Sequence, residues 1–280
     1  MPNTLLAVNP KQFTRNNKIK LFLIVFLFLL LITYHLSLVS AQTPYEKAKN
    51  DYSAQIKKYN EAKDNYITTK SNYAAFKTAT AKTDAYIKTK DYLVQSNFLI
   101  ADYLFVIKEF GNQINWSSST YDRGGIFKTL DDEVNYLQEN WRQIQSTSTL
   151  EDLPARADEL SGHLENSTNP AVNKAMATFE VVKIQYILNN FNQLSQKLIN
   201  FASPRIKADS RSIINNWQSE IDGIKKETET NLNQAKTDLE KVELAKPNKS
   251  QTDRVLESTK KAKDELSKSQ DLFKEILRIT

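Results

Sequence analysis

Between residues 45 and 110 the apolar positions return every seven residues, in two different registers. Tyr45, Tyr52, Tyr59, Tyr66 and Tyr73 fill one heptad position, with Ala48, Gln55, Ala62, Thr69 and Phe76 three residues on. Large and small side chains sharing such a seam are the mark of a coiled coil. The phase slips between Ala79 and Thr83, and a second seam follows at Ala79, Tyr86, Leu93, Ile100 and Ile107. Tyr92, Phe98, Leu99, Leu104, Phe105 and Val106 widen that second half into a broadly apolar surface, which predicts that other helices surround it. No Pro or Gly interrupts the chain between Pro44 and Phe110. The pattern therefore predicts one helix of roughly 65 residues, about 100 Å long.

The segment Gly111–Gly125 holds three of the five glycines and reads as a connection. A second helix is expected to bury Ile126, Leu130, Val134, Leu137, Trp141 and Ile144, and a short third helix to lie around Pro154–Leu164, capped by Thr149 or Asp152. Asn169 followed by Pro170 is a helix-start signal, and the helix it opens is expected to reach about Ala202. Ser203-Pro204 repeats the signal ahead of a fifth helix carrying Ile206, Ile213, Trp217, Ile221, Ile224, Leu232, Leu239 and Val242. Ser250 and Asp253 suggest a capping box for a sixth, with Val255, Ala262, Leu266, Phe273 and Ile276 as its buried stripe.

The fold class expected from these periods is all-α, an elongated helical bundle with an antiparallel coiled-coil stalk. Residues 42–78 are the tyrosine strip, 79–224 the bundle core, and 225–280 a helical hairpin that completes the stalk. In this arrangement the tyrosines pack on the narrow seams of the fifth and sixth helices, because five fully exposed tyrosines would leave large apolar rings in water.

Residues 1–41 have a different character. Lys11, Arg15, Lys18 and Lys20 precede the run LFLIVFLFLLLI, and Val39-Ser40-Ala41 offers the small residues of a cleavage site. The segment reads as an export signal cleaved after Ala41, or as an uncleaved anchor over residues 21–39, with the remainder outside the cytoplasm in either case. It also changes the meaning of the charge. Those four cations are unaccompanied by any Asp or Glu, so the net charge of +5 becomes +1 without them. Basicity then gives no support for nucleic-acid binding, which needs a clustered positive surface.

Candidate chemistry is sparse. Cysteine is absent, and His163 is the only histidine beyond residue 41. Glu159 and His163, four apart, have the spacing of two metal ligands on one helix face, but a third ligand is not evident, so no metal or cofactor is expected. Asp102 is either a buried acid or one position of the polar row Gln95, Asp102 and Glu109. Gly124-Gly125 lacks the strand and lysine of a phosphate loop and is read as a turn. Asn115, Asn166 and Asn248 each begin a glycosylation triplet. The candidate interaction stripe is Tyr45, Tyr52, Tyr59, Tyr66 and Tyr73. Trp116 is a candidate loop contact, either a lid over the bundle end or a platform for a ligand.

The tyrosine heptads, the segment KTATAKTDAYIKTKDYL and the segment ARADELSGHLENSTNPA together resemble uncharacterised exported coiled-coil proteins of bacteria with reduced genomes. The resemblance implies export and a helical architecture, and it carries no activity. The function expected is a non-enzymatic scaffold, spacer or partner-binding protein of the cell envelope or extracellular space. Its partner would be another protein or a second copy of itself, with contact to the membrane only through an uncleaved N-terminal segment. The alternative is a small-ligand-binding or sensor bundle, with a pocket among helices carrying Tyr103, Trp141 and Tyr186.

Overall fold

The computed structural model describes residues 42–206, 211–242 and 249–279. Residues 1–41, read from sequence as an export segment with a cleavage point after Ala41, and Asn248 lie outside these residues. The described chain is all-α, with no strand among the described residues: α1 Pro44–Phe76, α2 Ala79–Asn112, α3 Arg123–Ser146, α4 Leu153–His163, α5 Asn169–Ala202, α6 Arg211–Glu240 and α7 Lys249–Ile279. No helix among them is long and apolar enough to cross a membrane.

The expected 65-residue helix is two helices. Thr43 caps α1 by accepting from the Glu46 amide, Pro44 occupies its first turn, and the helix stops where Lys77 turns left-handed (φ 48°, ψ 28°). Thr78 is extended, and its hydroxyl accepts from the Ala81 amide to open α2. Two residues thus reverse the chain into an antiparallel hairpin, with Tyr52 opposite Tyr103 and Tyr45 opposite Phe110. The left-handed conformation costs a lysine about 1–2 kcal/mol. The aromatic interface along two helices of more than 30 residues outweighs it. The phase slip read at Ala79–Thr83 falls in the first turns of α2, directly after this reversal.

The second departure lies at Asn169-Pro170. Asn169 is helical (φ −62°, ψ −45°) rather than a cap, and α4 passes into α5 through the π-helical turn Leu164–Thr168. Pro170 has no N–H for the carbonyl four residues back, and its ring crowds that carbonyl. A widened turn is one way to pass it without ending the helix.

The chain divides into two compact units. One is built from the described residues up to Tyr186 together with Asn231–Lys260. Its core joins Leu104 and Ile107 of α2, Leu130, Val134 and Leu137 of α3, Leu160 of α4, and Val172, Ala175, Phe179 and Val182 of α5. A smaller cluster of Leu93, Val94, Ile144 and Leu153 closes the other end of α2 against α3 and α4. Lys108 of α2 reaches Asp131 of α3 at 2.6 Å, and the Tyr86 hydroxyl donates to the Thr147 carbonyl at 2.6 Å. These contacts fix α2 between α1 and α3.

The other unit comprises Ile187–Thr230 and the described residues from Lys261 onward. There Phe191 stacks on Phe273 with centroids 5.7 Å apart, and the buried Trp217 donates its indole N–H to Glu275 at 2.9 Å. Leu194, Leu198, Ile221, Ile224, Leu266 and Ile276 are buried there as well. Ser203–Arg205 form a 3-10 turn rather than the first turn of the expected fifth helix.

Candidate interaction site

The tyrosine stripe leans on α2. Tyr45 meets Phe110 (5.9 Å between centroids), Tyr52 meets Tyr103 (5.8 Å), Tyr59 meets Tyr92 (5.5 Å), and Tyr66 stacks on Tyr92 at 5.0 Å and 7°. The Tyr59 and Tyr92 hydroxyls are hydrogen-bonded at 3.1 Å. Burial pushes the Tyr92 phenol up to about 12, with help from the Tyr59 hydroxyl and from Tyr59 and Tyr66 as neighbouring titratable groups. Tyr73, at the turn, is half-buried and gives its carbonyl to the Lys77 amide. The seam continues in Gln55, which donates to the Gln95 side chain at 2.8 Å, and in the buried Ala62. The partners assigned to the stripe from periodicity, α6 and α7, are therefore replaced by α2. The seven-residue period told that the tyrosines face a helix but not which one, since both answers have the same spacing.

Pairing α1 with one side of α2 and α3 with another leaves a third side open. Ile87, Phe98 and Phe105 recur there at intervals of 11 and 7 residues, within about 20° of one line on the helix. They are 50%, 41% and 42% exposed. Asp84, Asp91, Asp102 and Glu109 follow the same spacing one step around the helix, so carboxylates border the apolar row along its length. Asp91 accepts from the Gln95 amide and Glu109 from the Asn112 amide, and among the described residues no lysine or arginine forms a salt bridge with any of the four. Burial, then the charge of Asp51, holds the Asp102 carboxyl above its usual range, while Lys58 pulls it down. Near the N-terminus of α1 the row runs into a shallow cavity of about 260 Å³ lined by Pro44, Lys47, Ala48, Asp51, Asp102, Phe105 and Glu109. Phe98 also touches Trp141 of α3, with centroids 5.9 Å apart.

Tyr103 and Trp141, carried by helices named for the alternative ligand pocket, meet different neighbours: Tyr103 packs on Tyr52, and Trp141 on Phe98. Trp116 packs into the core end. Its indole N–H donates to the Gly111 carbonyl at 3.0 Å, and its ring stands edge-on to Phe127 and Phe179. Gly111 is what admits these rings, because a Cβ there would lie 2.5 Å from Phe179 Cζ and 2.9 Å from Phe127 Cε1.

His163 does not join Glu159, which is held by Arg156 at 2.7 Å. Its Nε2 meets Glu133 Oε2 of α3 at 2.8 Å, and the same oxygen accepts from the buried Thr168 hydroxyl at 2.6 Å. Tyr136 stacks on the imidazole. Glu133 thereby ties both ends of the π-helical turn to α3. Glu133 carries no sequence signal that separates it from other acidic positions of α3; only the π turn brings His163 and Thr168 to one oxygen. Among the described residues no group of three or more His, Cys, Asp or Glu comes together as a metal site.

Comparison of the chain with protein-family models, with curated proteins and with solved structures finds no match in any of the three.

Proposed function

We propose that the protein is a non-enzymatic, exported helical scaffold whose α1–α2 hairpin docks a partner through the open side of α2. One observation carries this reading. Eight large hydrophobic side chains are exposed among the described residues, and six of them, Ile67, Phe76, Ile87, Phe98, Tyr103 and Phe105, lie on this hairpin. Elsewhere among the described residues only Leu256 and Ile279 are as open. Single exposed hydrophobics are ordinary, whereas a concentration on one element marks an interaction surface. The row Ile87–Phe98–Phe105 has the spacing that a partner helix reads, and its acidic border selects one carrying lysine or arginine beside its apolar stripe. In this reading the docking surface moves from the candidate stripe Tyr45, Tyr52, Tyr59, Tyr66 and Tyr73, which leans on α2, to the open side of α2. Export rests on residues 1–41, and placement in the cell envelope or outside it belongs to the same proposal.

The test uses the full chain in its producing cell, with a photo-reactive residue at position 98 or 105 and a control at the exposed Lys63 on α1. A discrete cross-linked product at 98 and 105, absent at 63, is the expected result. Equal, diffuse labelling at all three positions would remove the docking role from α2.

A further inference from the structure

A cavity in the larger unit is separate from the hairpin's open side. It measures about 380 Å³, within the size range of small-molecule pockets, and lies among the first turns of α3, the first turns of α5 and the end of α6. Ile126, Ala171, Ala175 and Leu239 give it an apolar wall. Thr129 and Thr178 also line it, but their hydroxyls donate to the Gly125 and Lys174 carbonyls of their own helices, at 2.9 and 2.7 Å. They therefore offer the cavity carbon rather than free hydrogen-bonding groups.

Charge is confined to the residues around this wall: Asp122, Lys174 and Glu240, beside the phenol of Tyr121. Lys174 offsets one of the two carboxylates. Arg123, the next residue along from Asp122, is drawn away, donating to the Asn112 side chain at 2.7 Å with its guanidinium over the Phe127 ring. Lys241, next to Glu240, lies 3.4 Å from Asp238. Among the described residues, one negative charge at the rim thus stays uncompensated. Asp122 precedes α3 without capping it through its side chain, and its carboxylate occupies the space that a side chain on Gly125 would need, Oδ2 lying 2.5 Å from the position of a Cβ there. Among the described residues no donor holds this carboxylate. Burial and the nearby Glu240 charge raise the Tyr121 phenol above its usual range, so it is a neutral hydroxyl at ordinary pH.

From this geometry we infer that the cavity binds a small organic cation, an aliphatic ammonium whose chain lies against Ile126, Ala171, Ala175 and Leu239 while its N–H groups reach Asp122 and Glu240. An organic anion of the same length would meet two carboxylates and one lysine. A neutral alcohol would gain the wall but not the charge. Charge-assisted hydrogen bonds are the stronger class, so the ammonium is expected to bind at least about tenfold more tightly than the alcohol.

The experiment is calorimetric titration of the full chain with hexylammonium, hexan-1-ol and hexanoate. The expected order is ammonium, then alcohol, then carboxylate. Asp122→Asn combined with Glu240→Gln, both at exposed positions, should bring the ammonium to within about twofold of the alcohol. Ala175→Phe fills the cavity and should abolish binding of all three. If that variant fails to fold, Thr129→Leu, on the less buried wall, should weaken all three together. Hexanoate binding as tightly as hexylammonium would overturn the inference. So would hexylammonium binding that persists in the filled cavity, since the ligand would then be held elsewhere, for instance on residues 21–39.

Discussion

Tyr92→Ala tests whether the tyrosine stripe belongs to the hairpin. Tyr92 is the residue on which Tyr59 and Tyr66 both rest. Its truncation removes two aromatic pairs at about 0.5–1.5 kcal/mol each and the hydrogen bond to the Tyr59 hydroxyl at about 0.5–1.5 kcal/mol. The loss is therefore roughly 2–4 kcal/mol, once some repacking of the half-open groove is allowed. Tyr73→Ala is the control. It removes an equal side chain from the same stripe, but no aromatic ring of the described residues lies against Tyr73, and its loss should stay below about 1 kcal/mol. Urea unfolding of the full chain, followed by circular dichroism, should show the Tyr92 variant shifted by about 1 M or more and the Tyr73 variant much less. Spin labels at the exposed Ser53 and Asn112 read the geometry directly: roughly 20 Å apart in the hairpin, against about 90 Å in one continuous helix. Equal destabilisation by the two truncations, or a label distance near the longer value, would refute the hairpin and restore a stripe that faces other helices.

Two further outcomes follow from the same packing. Because the folded Tyr92 phenol is pushed up to about 12 while an unfolded tyrosine titrates near 10, the fold favours the neutral ring. Its contribution to stability is complete below about pH 10 and is lost as pH rises from about 10 towards 12, so Tyr92→Phe should flatten the alkaline fall in urea midpoint; an unchanged slope would exclude Tyr92 as its source. Gly111→Ala improves helix propensity by about 1 kcal/mol at most, but it drives a methyl into Phe179 and Phe127, an overpacking worth about 1–3 kcal/mol. Thermal unfolding should therefore occur at lower temperature, and a stabilised variant would show that the aromatic end of the core is looser than its distances indicate.

The amphipathic period was enough to identify this chain as all-α and to name most of its core. Leu130, Val134, Leu137 and Ile144 are buried in α3, and Val255, Ala262, Leu266, Phe273 and Ile276 in α7, because a 3.6-residue repeat of apolar side chains has one way to leave water. Position along the chain was less legible. Lys77 reverses the chain without a glycine, where burial of the hairpin interface outweighs about 1–2 kcal/mol of local preference, and Pro170 sits inside a helix run instead of starting one, behind a π turn whose two ends Glu133 holds through His163 and Thr168. Partner choice was not legible at all. Tyr59 meeting Tyr92, Glu133 joining two ends of a π turn, and the charged rim around Ala175 unite residues far apart in sequence. Local periodicity states which face of a helix is buried; only the competition among all helices for those faces decides what each one meets and which side, here the Ile87–Phe98–Phe105 row, is left open.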